Sequence, residues 1–264
     1  MKPPTIDPAW DAETQALHRH DLQEIWDRRI APQVWNQYHN QLDVYLGFAA
    51  DGRPLDILDV GCAQGTLALL LAERGHRVTA MDIRQHFLDY AASRYTHGDI
   101  RWLRGNVLEA EPEGCYDLIF ANQIIEHLVY PDRLLAALKA RAKPGARIVI
   151  TTPNHAYAVN RLPSFRELGD PTQWAHRQHS ADADGHFYAY TRDELVDIFA
   201  SAGLNSIESR FFETPWISGH LKVRYLHGIV PVSVLRALDR LTLALPWVGA
   251  RAAHQLLVTG RVFA

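Results

Sequence analysis

Hydrophobic positions along the chain switch repeatedly between helical and strand spacing. Trp35, Tyr38, Leu42, Tyr45 and Leu46 recur every three or four residues, after Pro32 and before the breaker Asp51-Gly52, which predicts an amphipathic helix ahead of the main fold. Short apolar runs then alternate with helical stretches: strand 56–60, helix 65–74, strand 77–82, helix 85–95, strand 100–104. The alternation continues with strand 116–121, a helix from Pro131 to about 142, a turn at Pro144-Gly145 and strand 147–152. Thr191 followed by Glu194 forms a capping box for a helix that ends before Gly203, and strands at 206–212 and 255–262 bring the number to seven. Such a series predicts an α/β fold, a mostly parallel sheet covered by helices.

Two stretches fall outside the alternation, 153–190 and 214–254, and both are long for connections in a compact domain. The predicted organisation is a helical cap over 1–50 and one α/β domain over 51–264 that carries these two insertions. With 264 residues, one domain can bury a sizeable core.

Composition narrows the function. Hydrophobic residues at 47% and charged residues at 22% are the balance of a globular enzyme, and a net charge of −3 offers no general attraction to phosphate backbones, so nucleic acid is not an expected partner. Cys62 and Cys115 form neither a CxxC nor a metal pattern, and the 14 histidines are scattered from His18 to His254, so no metal site is expected. The first ten residues hold three prolines and no apolar signal core, and no run approaches membrane-spanning length, so a cytoplasmic location is expected.

The most informative segment is Ile57-Leu58-Asp59-Val60-Gly61-Cys62-Ala63-Gln64-Gly65, a buried strand running into a glycine turn that opens a helix. Gly61 and Gly65 let the backbone approach a ligand, and Asp82, 21 residues after Gly61, ends the next strand where a carboxylate can accept both hydroxyls of a ribose. The turn lacks the third glycine and the spacing of a dinucleotide fingerprint, while the acid at Asp59 suits an ammonium group better than a pyrophosphate.

These blocks, LDVGCAQG (58–65), VTAMDI (78–83), RGNVLE (104–109), YDLIFANQIIEHL (116–128), LKARAKPGARIVITTPN (138–154) and FYAYTRDEL (187–195), resemble the class I S-adenosylmethionine (SAM)-dependent methyltransferase superfamily, in its small-molecule group with ubiquinone-pathway and glycan enzymes. The resemblance implies a Rossmann-like sheet of seven mostly parallel strands with helices on both faces. It also implies SAM as cofactor, Gly61, Cys62 and Gly65 along its methionine part, Asp59 toward its ammonium group, and Asp82 on the ribose. Ile83 is expected to pack on adenine, Asn106 and Val107 to meet its edge, and Asn122 and Gln123 to lie beneath the sulfonium.

Methyl transfer from a sulfonium asks chiefly for alignment and water exclusion, and a hydroxyl acceptor adds the need for a base. His127, beside Glu126 after the fourth strand, is the first candidate, and His155, after the fifth, is the second. In related quinone-pathway enzymes an upstream glutamate completes a divalent-metal site with such a Glu-His pair. This chain has Gln123 there, a weaker ligand for a hard cation. Tyr38 on the N-terminal helix and His186 and Tyr188 in the first insertion are candidate acceptor contacts.

The second insertion places Val234, Leu235, Leu238, Leu241 and Leu245 at helical spacing, with Arg236, Asp239 and Arg240 opposite, as for a helix that packs on the core, joins a homodimer or touches a membrane surface. The expected acceptor is a small molecule or glycan methylated on a sugar-type hydroxyl. The alternatives are a polyprenyl phenol, an amino sugar methylated on nitrogen, and a SAM-binding regulator without turnover.

Overall fold

A computed structural model of the chain describes residues 1–110, 114–177 and 188–263. In chain order its elements are α1 (Ala12–Asp21), α2 (Pro32–Leu46), β1 (Asp56–Val60), α3 (Thr66–Glu73), β2 (Arg77–Asp82), α4 (Gln85–Arg94), β3 (Asp99–Arg104), β4 (Tyr116–Asn122), α5 (Pro131–Ala140) and β5 (Ala142–Pro153). After the first insertion come α6 (Arg192–Ser201), β6 (Asn205–Phe212), the short α7 (Pro215–Ser218), α8 (Val232–Ala244), α9 (Val248–Ala252) and β7 (Gln255–Arg261).

The seven strands form one sheet of order β3-β2-β1-β4-β5-β7-β6, parallel from β3 to β5, with β7 antiparallel between β5 and β6. Side chains alternate across it. Ile119, Ile148 and Ile150 meet α5 and α6 through Leu134, Leu138, Leu195 and Phe199, whereas Leu118, Phe120 and Val149 meet α2 and α3 through Leu42, Tyr45, Leu67 and Leu71. Each of the large side chains fully buried here contributes about 1.5–3 kcal/mol through loss of apolar surface from water. The carboxyl ends of β1, β2, β4 and β5 therefore share one edge, and β7 starts at that same edge because it runs the other way.

Three local expectations change. An additional helix, α1, stands ahead of the one predicted from Trp35, and it has no apolar stripe to betray it: among its residues only Asp21 is buried. It docks through charge instead, with Asp21 Oδ1 2.7 Å from Arg94 Nη1, the two side chains 0% and 2% exposed. Trp26 and Tyr90 donate to Asp21 Oδ2 at 3.1 and 3.0 Å. Second, β5 begins at Ala142, before the predicted Pro144-Gly145 turn, because the strand absorbs that pair in a register shift against β4, where proline costs no ladder bond. Third, Asp239 does not face outward from α8: it is 5% exposed and accepts from the Thr214 amide and hydroxyl, both at 2.8 Å. Leu235 shares that inward face, whereas Val234, Leu241 and Leu245 are exposed.

Candidate active site

The turn after β1 is built by backbone conformation. Gly61, Ala63 and Gly65 all have left-handed φ values of 65°, 45° and 71°. At Gly65 space as well as φ demands glycine, since a Cβ there would lie 2.6 Å from Ala91 Cβ, whereas at Gly61 the φ is the constraint and the nearest atom is the movable end of Ile124, Cδ1, at 2.7 Å. Asp82 holds the turn from β2: its Oδ2 accepts from the Ala63 amide at 3.0 Å and its Oδ1 from the Arg84 amide at 2.9 Å. Ile83, the next residue, is a large apolar side chain 53% exposed at the strand end, an open platform for a flat ring.

Asp59, one pleat back in β1, is 4% exposed, and burial followed by repulsion from Asp82 pushes its carboxyl up to about 7. Cys62 is buried beside it. Asn106 is engaged locally, its Oδ1 accepting from the Leu108 amide and its Nδ2 donating to Glu109, both at 3.0 Å, and Val107 is buried in the core beneath. A carbonyl oxygen keeps a second lone pair for a ligand amine.

Beyond this turn, the edge carries a row of polar side chains. Thr151 Oγ1 donates to Asn122 Oδ1 at 3.1 Å, lies 3.2 Å from the Tyr45 hydroxyl, and accepts from Gln123 Nε2 at 3.2 Å. Gln123, with a left-handed φ of 55°, also donates to Gln255 Oε1 at 2.9 Å. Its amide is thus committed to β5 and β7. The row runs on through Gln255 Nε2, 3.2 Å from His254 Nδ1, to a cluster in which the rings of His254 and His220 lie 4.7 Å apart and the Tyr157 hydroxyl is 2.9 Å from His220 Nδ1. Burial lowers the pKa of His220 and so favours its neutral ring.

Beside this row, the fully buried Glu213 follows β6 with a left-handed φ of 63°, and Gln37 and Gln41 of α2 donate to its Oε2 at 3.0 and 3.1 Å. Burial raises its carboxyl to about 8, against the pull of those two amides. Sequence reasoning missed Tyr157, His220, Glu213 and His254. A usable signal existed for one of them, since His254 immediately precedes β7 and the antiparallel partner of β5 must start at the ligand edge.

His127 ends a 3₁₀ turn, Ile125–His127, directly after β4, and its own amide donates to Ile124 O at 2.9 Å. The neighbouring Glu126 is fully buried, which raises its carboxyl to about 8 against an opposing hydrogen bond from Thr152. Tyr188, a predicted acceptor contact, lies instead at 0% exposure in the core. Its hydroxyl is 2.8 and 2.5 Å from the carbonyl oxygens of Ile125 and Leu128 and 2.9 Å from the Tyr190 hydroxyl, so it fixes the turn that carries His127. Tyr38 is half-buried and hydrogen-bonded to Glu24, whose carboxyl burial pushes up to about 7. His155 follows β5 with its Nε2 3.7 Å from Glu167 Oε2. His186 lies outside the described residues. Among the described residues no group of three His, Cys, Asp or Glu side chains is arranged to hold a metal ion, and no helix is long and apolar enough to cross a membrane.

The sheet order, the glycine turn and the acid at the end of β2 define a class I SAM-dependent methyltransferase, with SAM as its cofactor. The family model described as a methyltransferase domain matches residues 18–209, and the chain belongs to that family. A ubiquinone biosynthesis O-methyltransferase of Rickettsia akari is 28% identical over 199 residues, 74% of each chain. An uncharacterized methyltransferase of Mycobacterium bovis is 35% identical over 97 residues, 36% of this chain and only about half (49%) of that one. Among solved structures, phosphoethanolamine N-methyltransferase 2 of Haemonchus contortus in complex with S-adenosyl-L-methionine superposes with a TM-score of 0.60 at 15% identity, over 93% of this chain and 60% of that one. At that identity the likeness speaks for the fold.

Proposed function

We propose that the chain transfers the methyl group of SAM to a hydroxyl of a small, sugar- or glycan-type acceptor, with His127 as the base. The observation that carries this reading is the polar row at the sheet edge: Gln123, Gln255 and His254, with Glu213, Gln37 and Gln41 beside them, make this edge polar rather than apolar, the surroundings a hydroxyl-rich acceptor asks for. A polyprenyl phenol would ask for an apolar wall instead. In this reading Gly61, Cys62 and Gly65 line the methionine part of SAM, Asp59 receives its ammonium, Asp82 its ribose, and Ile83, Asn106 and Val107 its adenine. Asn122 and Gln123 underlie the sulfonium. His127 takes the proton as the acceptor oxygen attacks, and His155 stands at the same edge as the second candidate.

Incubating the protein with methyl-labelled SAM and a cell extract, then separating polar glycans from lipid quinones, tests the acceptor. Label in the glycan fraction is the expected result; label confined to quinones overturns the acceptor assignment, and label in neither supports a binding-only protein. His127→Ala should lower the turnover of the identified acceptor by about 10²–10⁴-fold at unchanged SAM affinity, the range for loss of a general base. A variant with full turnover removes His127 from the mechanism.

Cofactor binding should depend on pH through Asp59. Its carboxyl titrates at about 7 without ligand, and a bound ammonium group stabilises the ionised form, so binding releases a proton below that value. Affinity for S-adenosyl-L-homocysteine is therefore expected to be flat above pH 7 and to fall below it, approaching about tenfold per pH unit. Titration calorimetry in buffers of different ionisation heat reads the proton directly. Asp59→Asn should bind more weakly and lose this slope, and a variant that keeps the slope would locate the titrating group elsewhere.

A further inference from the structure

A second concave site lies on the α2 face of the sheet, away from the edge described above. It is a cavity of about 580 Å³ between α2, the strands β5, β6 and β7, and α8, and Arg147, Arg210, Arg236 and Arg240 all line it. Arg147 enters β5 four residues before Thr151, so the groove sits about 13 Å down the strand from the polar edge row. The acids in the lining are Asp43 and Glu208. Asp43 is taken by Arg236, Nη1 to Oδ2 at 2.5 Å. Among the described residues Arg147, Arg210 and Arg240 make no ion pair, although Glu208 is near enough for its charge to be felt by Arg210. Two guanidinium groups converge on one ring, with Arg147 Cζ 5.6 Å and Arg210 Cζ 5.5 Å from the centroid of Phe48. Within the lining, four cations against two acids leave an excess of two positive charges in a chain whose net charge is −3, with the buried Asp239 behind Arg236 and Arg240. Thr259 adds a hydroxyl to the same wall.

We propose that this groove binds a phosphate group carrying two or more negative charges, a phosphomonoester or a diphosphate. Planar guanidinium forks match phosphate oxygens in pairs, and a ring beneath them fixes their planes. A carboxylate of single charge would leave half of the excess unmatched. The phosphate can belong to a soluble ester or to a lipid headgroup, and the recognising chemistry is the same. The site stands apart from the methyl-transfer reading, since none of its lining residues takes part in the edge row.

The test uses the full chain with two probes, inorganic pyrophosphate in titration calorimetry and vesicles of phosphatidylcholine with or without phosphatidic acid in co-sedimentation. Expected is saturable pyrophosphate binding that weakens about tenfold or more in Arg147→Gln and in Arg240→Gln, while Arg74→Gln, an equal charge change on the exposed end of α3, leaves it unaltered. S-adenosyl-L-homocysteine affinity should stay within about twofold in all three, since the charge-assisted bonds removed lie outside the cofactor turn. Should Arg147→Gln fail to fold, the exposed Arg240 keeps the experiment open. Arginine-dependent sedimentation with phosphatidic acid alone also supports the proposal and identifies a lipid as the source. Binding of neither probe, or an equal loss in Arg74→Gln, overturns it.

Discussion

Asp82→Ala should weaken binding of S-adenosyl-L-homocysteine by about 100-fold or more, the equivalent of roughly 3 kcal/mol for two hydrogen bonds to a charged group. The carboxylate does two things at once. It braces the turn by accepting from the amides of Ala63 and Arg84, and it is the group proposed to take the ribose hydroxyls. Losing it leaves Ala63 at a φ of 45° without the bond to its own amide that braces that strained conformation. Asp82→Asn separates the two effects, because its carbonyl oxygen can still brace one amide while one ribose bond loses its charge. Its loss should be intermediate, read by titration calorimetry with circular dichroism as the check on folding. An Asp82→Ala protein that binds S-adenosyl-L-homocysteine within about threefold of the parent, less than one charge-assisted bond is worth, would move the ribose to another residue.

The largest stability effect is expected at Asp21→Ala, about 3–5 kcal/mol in urea denaturation, because it leaves the guanidinium of Arg94 buried without its counter-charge. Arg94 also donates to Thr66 Oγ1 at 3.0 Å and to Gln64 O at 3.3 Å. The cap is thereby tied to the first residue of α3 and to the glycine turn itself. Loosening the pair should thus lower cofactor affinity as well as stability. Removing both partners in Asp21→Leu/Arg94→Met should recover much of the lost stability without restoring cofactor affinity, since a buried pair is dearer to break than to replace. A loss below about 1 kcal/mol in the single variant would mean that water reaches the pair, as at an exposed salt bridge.

The contrast between α2 and α1 explains what the sequence discloses. Helix α2 is readable because it buries an apolar face at helical period, the strands β1, β2 and β4 because each is a short apolar run buried on both faces, and the glycine turn because two positions have the left-handed φ that favours glycine. Helix α1 attaches chiefly through Asp21 to an arginine 73 residues away, with His18 against the Tyr90 ring, and nothing local announces such partners. The cofactor half of the site is local in the chain. The proposed acceptor half is not, because Glu213, His254 and Gln37 meet only after β6 and β7 have joined the sheet. The inward position of Asp239 is hidden for a related reason: its partner, the Thr214 amide, is made available by α7 rather than by the periodicity of α8.

The position of β7 sets the order in which the molecule can be completed. β6 has β7 as its single neighbour, so it has no ladder to join until residues 255–261 arrive between it and β5. Until that insertion both β5 and β6 present open edges to any passing strand, which makes this the interval most exposed to aggregation. The same step brings His254 against Glu213 through the amide-to-carbonyl bond that joins them at 2.8 Å. Partly folded molecules therefore have the glycine turn of β1 and β2 before the groups of the proposed acceptor site come together.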